Sequence, residues 1–308
     1  MGPLVRVLSY QGDDGTARAG VATIDDGIVD LHSASEGTLP TSLLGVFETP
    51  GWRALVDEAV STGTRVGTMG DLRLLTPMRR PPKLLATAAN YQRHIDEGGG
   101  KKVDKTRSIP KLFLKPSSAI IGPGDELPLP TVSDQVDWEI ELGIVIGTAG
   151  FAIPPERALD HVAGYTIVND VSARTMSWGL EDRDATHPNT GFFDWLSGKW
   201  PNGFAPIGPW ITTADAVGDP QNLEFSLTLN GEVMQTGSTS EMIFTCQDLI
   251  VFASRFMTLE PGDVIATGTG AGCGVSIGRF LAPGDVMEAR IEGLGTLTTP
   301  VGERIQAQ

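Results

Sequence analysis

The sequence predicts a mixed α/β fold in which strand outweighs helix. Short runs of β-branched and apolar residues recur along the chain, such as "EIELGIVIG" and "DVIATG". Helical stretches are few and short. A strong hairpin signal, Asn230-Gly231, lies between alternating segments in "LEFSLTLNGEVMQTG". Together these favour a β-rich arrangement over a doubly wound α/β sheet.

In chain order, "LVRVLSY" and "GVATIDDGIVDLH" read as strands and turns, and Leu43, Leu44, Trp52, Leu55 and Val56 mark a helical stretch. "LTPMRRPPK" (75–83) is the best linker, because its three prolines break regular structure. It divides a small N-terminal domain, 1–75, from a larger domain, 76–308. In the larger unit "LLATAAN" reads as a strand and "YQRHIDEGG" as a short helix ended by glycines. "KLFLK" and "AIIGPGDELPLP" suggest strand and turn. "EIELGIVIG" is a strand, "PPERALDHVA" a helix and "GYTIVNDVSAR" a strand. "MIFTCQDLIVFASRFM" is an amphipathic helix, "DVIATG" a strand, and "GDVMEARIEGLGTLTTPV" closes the chain with strands.

The 308 residues suffice for a sizeable core. A formal net charge of -15 argues against a nucleic-acid partner, whose binding leans on Lys and Arg. The N-terminal "MGPLVRVLSYQG" has no basic region followed by an apolar run, and no segment reaches membrane-spanning length. Two cysteines, Cys246 and Cys273, form no disulfide framework and no Cys/His cluster in sequence, which suits a reducing cytoplasm.

"VDWEIELGIVIG" (136–147) raises a chemical question. Read as a strand, it places Asp137, Glu139 and Glu141 on one face and Trp138, Ile140 and Leu142 on the other. Like charges on one face repel, and burial worsens the repulsion. Solvent, protonation of one acid or a hard cation would each relieve it. The cation needs a further acid, and Asp170 at the end of an apolar strand is a candidate. A helix N-cap is the alternative role for that residue.

These segments, with others in order, resemble the fumarylacetoacetate hydrolase family. The likeness covers residues 75–300 or so. It rests on "NYQRHIDE", "PKLFLKPSSAIIGPGDELPLP", "VDWEIELGIVIG", "GYTIVNDVSAR", "GKWPNGFAPIGPW", "LNGEVMQTGSTSEMIF" and "TLEPGDVIATGTGAGCGV". The resemblance implies a distorted β-roll catalytic domain, a small N-terminal α+β domain and a homodimer. It implies that Glu139, Glu141 and Asp170 hold Mg2+ or Mn2+, with Asp137 supporting them. It implies His94 and Glu97 as an acid–base pair on a mobile lid, Lys199 as a catalytic cation near the metal, and Tyr91, Arg174 and Thr269 at the substrate. The substrate class implied is a small 2-oxo acid. The leading reaction is hydrolysis of a carbon–carbon bond in a 2,4-dioxo acid. The alternative is isomerisation or decarboxylation of a 2-oxo diacid of the 2-hydroxyhepta-2,4-dienedioate or oxaloacetate type.

The sequence departs from the family pattern in places. Ala88 stands where relatives often have Gly, Ser177 where many have a substrate-touching Gln, and Gly270 where many have Pro. Trp178, Phe192, Phe193 and Trp195 fall in a long segment that either walls the pocket or packs elsewhere. Lys115 is read as a support of the fold, and His161 as structural.

Overall fold

Strand-forming residues organise the chain into two main sheets of unequal size and one two-stranded ribbon in the computed structural model, which describes residues 5–305. Leu4, which opens the first expected strand, and the last three residues of the 76–308 unit lie outside the described residues. The larger sheet has 12 strands among the described residues. Its centre is Ala205–Thr213, Val162–Asn169, Ile140–Ile146 and Val264–Thr269, side by side and antiparallel. Ile140–Ile146 is buried along its whole length, as its place at the middle of a covered sheet dictates, and Glu141 is the one charged residue in its apolar run. Leu84–Ala88 and Lys111–Leu114 extend this sheet on one side. The strands of the first 75 residues extend it on the other, since Arg6 pairs with Thr212 and Val7 with Ile211. The apolar core is likewise continuous, running from Val7, Val21 and Leu31 to Ile144, Ile167 and Leu249.

The smaller, five-stranded sheet contains the expected hairpin, Glu224–Leu229 with Glu232–Ser238. Asn230 and Gly231 take φ of 53° and 80°, the paired positive values that a two-residue hairpin turn demands. The helix Cys246–Ser254 buries Cys246, Leu249, Ile250 and Ala253, one face at helical spacing.

Four expected elements differ in type or extent. The amphipathic helix starts at Cys246, because Thr245 and Asp248 form a reciprocal capping box there. Met242 instead bridges to Tyr91 as extended chain. The helix expected in "PPERALDHVA" is a 3-10 helix, Pro155–His161. The single strands expected through "VDWEIELGIVIG" and "GYTIVNDVSAR" are each broken. Short strands Val136–Asp137 and Ser172–Ala173 pair with each other, apart from the main ladder. Those two breaks create the site.

Candidate active site

Two neighbouring strands leave the sheet at the same level. Ile140 sits opposite Asn169 at the last rung of their ladder. Glu139, just before Ile140, and Asp170, just after Asn169, occupy the gap, and Asp170 N–H donates to the Glu139 carbonyl at 2.9 Å. The Asn169 side chain clamps the step by accepting from Glu139 N–H at 2.9 Å. Glu139 and Asp170 therefore line one small cavity, although one was expected on a strand face and the other at a strand end. Glu141 joins them: oxygens of Glu139, Glu141 and Asp170 lie within 4.8 Å of one another, and all three side chains are buried.

Cations surround this cluster on most sides. Lys199 donates to Glu139 Oε2 at 2.7 Å and to Asp170 Oδ2 at 2.8 Å. Lys115 donates to Asp170 Oδ1, and to the Val171 carbonyl at 3.3 Å. Arg174 donates through Nε to Asp137 Oδ1 at 2.7 Å and through Nη2 to Glu139 Oε1 at 2.5 Å. Asp137 Oδ2 accepts from Val275 N–H at 2.7 Å, so this acid anchors Arg174 and does not face the other carboxylates.

Glu141 is the exception. Its Oε2 accepts from Gly268 N–H at 2.7 Å, but its buried Oε1 meets no donor. Gly268 can approach so closely because its φ is +92° and an added Cβ would lie 2.7 Å from that of Asn90. Burial first, then the charges of Asp170 and Glu139, push the Glu141 carboxyl well above its ordinary range. For Glu139 burial acts the same way, but Lys199 and Arg174 outweigh it and hold the carboxyl low. Burial would likewise lower Lys199, yet Asp170 and Glu139 hold its ammonium above the usual lysine range. In Lys115 burial wins over Asp170, and the amine is lowered.

A buried carboxylate oxygen without a donor is costly unless a proton or a cation meets it. The unpartnered Oε1 stands in a purely oxygen donor set, which suits a hard divalent ion such as Mg2+ or Mn2+. The residues present thus fit a cation held by Glu139, Glu141 and Asp170.

The short helix Gln92–Glu97 covers the cavity. Its root is fixed by Asn90, a fully buried amide that donates to the carbonyls of Phe244 at 2.9 Å and Thr267 at 2.7 Å. Its far end is fixed by Glu97, which accepts from Gly272 N–H at 2.9 and 3.1 Å and from Ser276 Oγ at 3.3 Å. His94 lines the cavity, but its Nδ1 lies 3.8 Å from Glu97 Oε2, too far for a hydrogen bond. Its nearer neighbour is Cys273 Sγ, at 3.6 Å. The cavity encloses about 50 Å³, room for one or two waters. The helix must lift to admit a 2-oxo acid.

Thr269 also lines the cavity, with its hydroxyl engaged: it donates to the Ile140 carbonyl at 2.8 Å and accepts from Gln235 Nε2 at 2.9 Å. Tyr91 is not among the lining side chains; it is buried edge-on against Phe225, with ring centroids 5.9 Å apart. Of the four aromatic residues in the long segment, Trp195 lines the cavity and stacks on Lys199. Trp178, Phe192 and Phe193 are exposed on the outer surface.

Residues 83–302 match the family model described as fumarylacetoacetate (FAA) hydrolase C-terminal. The chain belongs to the fumarylacetoacetate hydrolase family. Oxaloacetate tautomerase FAHD2A, mitochondrial, from Bos taurus is 38% identical over 281 residues, covering 89% of this chain and 84% of the relative. The fumarylacetoacetate hydrolase structure from Exiguobacterium antarcticum superposes with a TM-score of 0.77 at 36% identity, covering 97% of this chain and all of that one. Maleylpyruvate hydrolase from Sphingobium sp. SYK-6, solved with manganese(II) and pyruvate, gives a TM-score of 0.75 at 29% identity over 97% of this chain and 100% of that one. The β-rich, mixed α/β architecture expected from the sequence is thus that of the family across nearly the whole chain.

In this family member Gln235 and Cys273 join the site without a sequence signal for it, and Lys115, read from sequence as a support of the fold, lies within it. Lys115 contacts Asp170 inside the site, and its signal was a lysine within the apolar "KLFLKP", which needs a buried acid if the segment is buried. Gln235 ties Ile140 N–H to Thr269 across the floor, and nothing local marked it. Cys273 touches His94 from 179 positions away, beyond the reach of any spacing argument.

Proposed function

We propose that this chain is a divalent-cation-dependent enzyme that enolises a small 2-oxo diacid, and that its reaction is keto–enol tautomerisation of the oxaloacetate type. The observation that carries the reading is the unpartnered, buried Glu141 Oε1 beside Glu139 and Asp170. The choice of reaction is supported by relatives named oxaloacetate tautomerase, 36% to 38% identical over most of this chain. Glu139, Glu141 and Asp170 would hold Mg2+ or Mn2+, which would supply Lewis acidity and offset negative charge on the substrate.

The chain's own residues do the rest. His94, over the cavity, removes the proton from C3 of the keto form and returns it in reverse. Lys199 stays ionised between Glu139 and Asp170, fixes both carboxylates and lowers the cost of negative charge on the substrate. Arg174 holds Glu139 in place from the other side. Thr269, its hydroxyl spent, offers the substrate shape and backbone, and Tyr91 supports the lid root. Tautomerisation moves one proton off C3 and one onto the 2-oxo oxygen and consumes no water, so a lid that closes over a small cavity suits it.

Hydrolysis of a 2,4-dioxo acid is the second reading, favoured by the maleylpyruvate hydrolase likeness. There His94 takes a proton from water, hydroxide joins the C4 carbonyl carbon, and the C3–C4 electron pair leaves on C3, which is then protonated. Presenting enol-oxaloacetate and acetylpyruvate in parallel separates the two. Faster loss of the oxaloacetate enol band without pyruvate supports tautomerisation. Acetate and pyruvate from acetylpyruvate would replace it with hydrolysis, and pyruvate with carbon dioxide from oxaloacetate would replace it with decarboxylation. We also propose a homodimer, supported by the exposed Phe192 and Phe193 beside the site; light scattering at the mass of one chain would reject it.

A further inference from the structure

We infer a second cation site beside the all-oxygen one, formed by Cys273 Sγ, His94 Nδ1 and a Glu139 carboxylate oxygen, which takes Zn2+ and latches the lid shut. One ligand atom from each of these side chains lies within 4.8 Å of the other two. The Cys273 Sγ to His94 Nδ1 distance is 3.6 Å. A tetrahedral zinc with a thiolate at about 2.3 Å and an imidazole nitrogen at about 2.0 Å sets those two atoms about 3.5 Å apart. No rearrangement of this pair is needed to accept the ion.

The donor set differs in kind from its neighbour. Three oxygens suit Mg2+, whereas thiolate with imidazole selects a softer ion. Gln235 Nε2, which donates to Thr269 Oγ1 at 2.9 Å and the Gly270 carbonyl at 3.1 Å, lies 3.7 Å from Cys273 Sγ. Each Glu139 oxygen already accepts one hydrogen bond, from Arg174 or Lys199, and keeps a lone-pair direction free for a cation. Water in the adjoining cavity completes four-coordination. On binding, the Cys273 S–H bond breaks, its proton passes to water and an S–Zn bond forms; nothing is oxidised or reduced.

Two consequences follow from where the ligands sit. His94 belongs to the lid helix, whereas Cys273 and Glu139 belong to the floor, so zinc cross-links lid to floor. With Nδ1 on zinc the other ring nitrogen carries the hydrogen and cannot take one from substrate. Zinc would therefore inhibit, and this part rests on the role proposed for His94.

The site itself is tested without turnover. Chelator-stripped protein in excess Mg2+ is titrated with Co2+, and the near-ultraviolet thiolate-to-cobalt charge-transfer band is read. The band should grow to one equivalent in the wild type and be absent in Cys273→Ala and in the size-matched Cys273→Ser. No band in the wild type, or a band that survives both substitutions, overturns the site. In the paired activity assay, each protein is compared with its own zinc-free rate. The half-inhibiting Zn2+ concentration should rise at least about tenfold in both variants; an unchanged value overturns the latch. The cobalt band needs no substrate, so a wrong assignment of the reaction leaves it standing.

Discussion

Replacing Glu141 with glutamine separates the cost of the carboxylate cluster from its use. Gln keeps the shape and still accepts from Gly268 N–H, but it removes one charge from oxygens that lie within 4.8 Å of Glu139 and Asp170. At an effective dielectric near 20, two such charges repel by about 3.5 kcal/mol per pair. In the metal-free protein Glu141 escapes this by holding a proton at a pH where the unfolded chain, with its ordinary value of 4.5, has released it. Near neutral pH that linkage costs at most a few kcal/mol. The sign follows from the raised folded value: the fold binds the extra proton, so the penalty is absent below about pH 4.5 and grows as pH rises toward the folded value. Glu141→Gln should therefore stabilise the metal-free protein at pH 7 by about 1–3 kcal/mol, or roughly 2 °C in Tm per kcal/mol for a chain of this size. Mg2+ at a hundred times its Kd adds about 2.7 kcal/mol to the wild type and little to the variant. Thermal unfolding in EDTA and in excess Mg2+ reads both. The variant should melt higher in EDTA and lose that advantage in Mg2+. A variant that melts lower in EDTA, or gains as much from Mg2+, would refute the cation reading of the cluster.

Lys199→Met leaves Glu139 and Asp170 short of a buried partner; chemical denaturation should show a loss of about 3–5 kcal/mol, with at least a hundredfold fall in kcat. Glu97→Ala frees Gly272 N–H and loosens the closed lid by about 1 kcal/mol; KM should rise several-fold while melting temperature barely moves. Mg2+ must displace the Glu141 proton, so calorimetric Kd should weaken as pH falls, approaching about tenfold per unit. Affinity that does not weaken as pH falls toward 4.5 would contradict that proton's place.

Much of this site was legible because carboxylates in an apolar run cannot be explained by packing. Glu139 and Glu141 stood out for that reason, and Asp170 because it closes another buried strand. The hairpin at Asn230-Gly231 was legible because only a few residues tolerate two positive φ values in succession. What stayed hidden depends on contacts far apart in sequence. The paired strand breaks at Glu139 and Asp170 require both strands at once, and a periodic reading of either runs straight through. The family resemblance implies Glu97 as the partner of His94. In the fold the backbone at Gly272 competes for that carboxylate and wins, with Cys273 left beside the imidazole. Tyr91 sits next to Asn90 in the lid motif, yet its ring turns into the core against Phe225, where burial of a large aromatic is favoured.

The most direct test is the rate of enol-oxaloacetate ketonisation by chelator-treated protein, before and after Mg2+ is restored, in the wild type and in Glu141→Gln. The expected result is a rate near that of buffer in EDTA, recovery with Mg2+ in the wild type, and no recovery in the variant. Full activity in EDTA, or equal recovery in Glu141→Gln, would contradict the proposal that a cation held by Glu139, Glu141 and Asp170 carries the reaction.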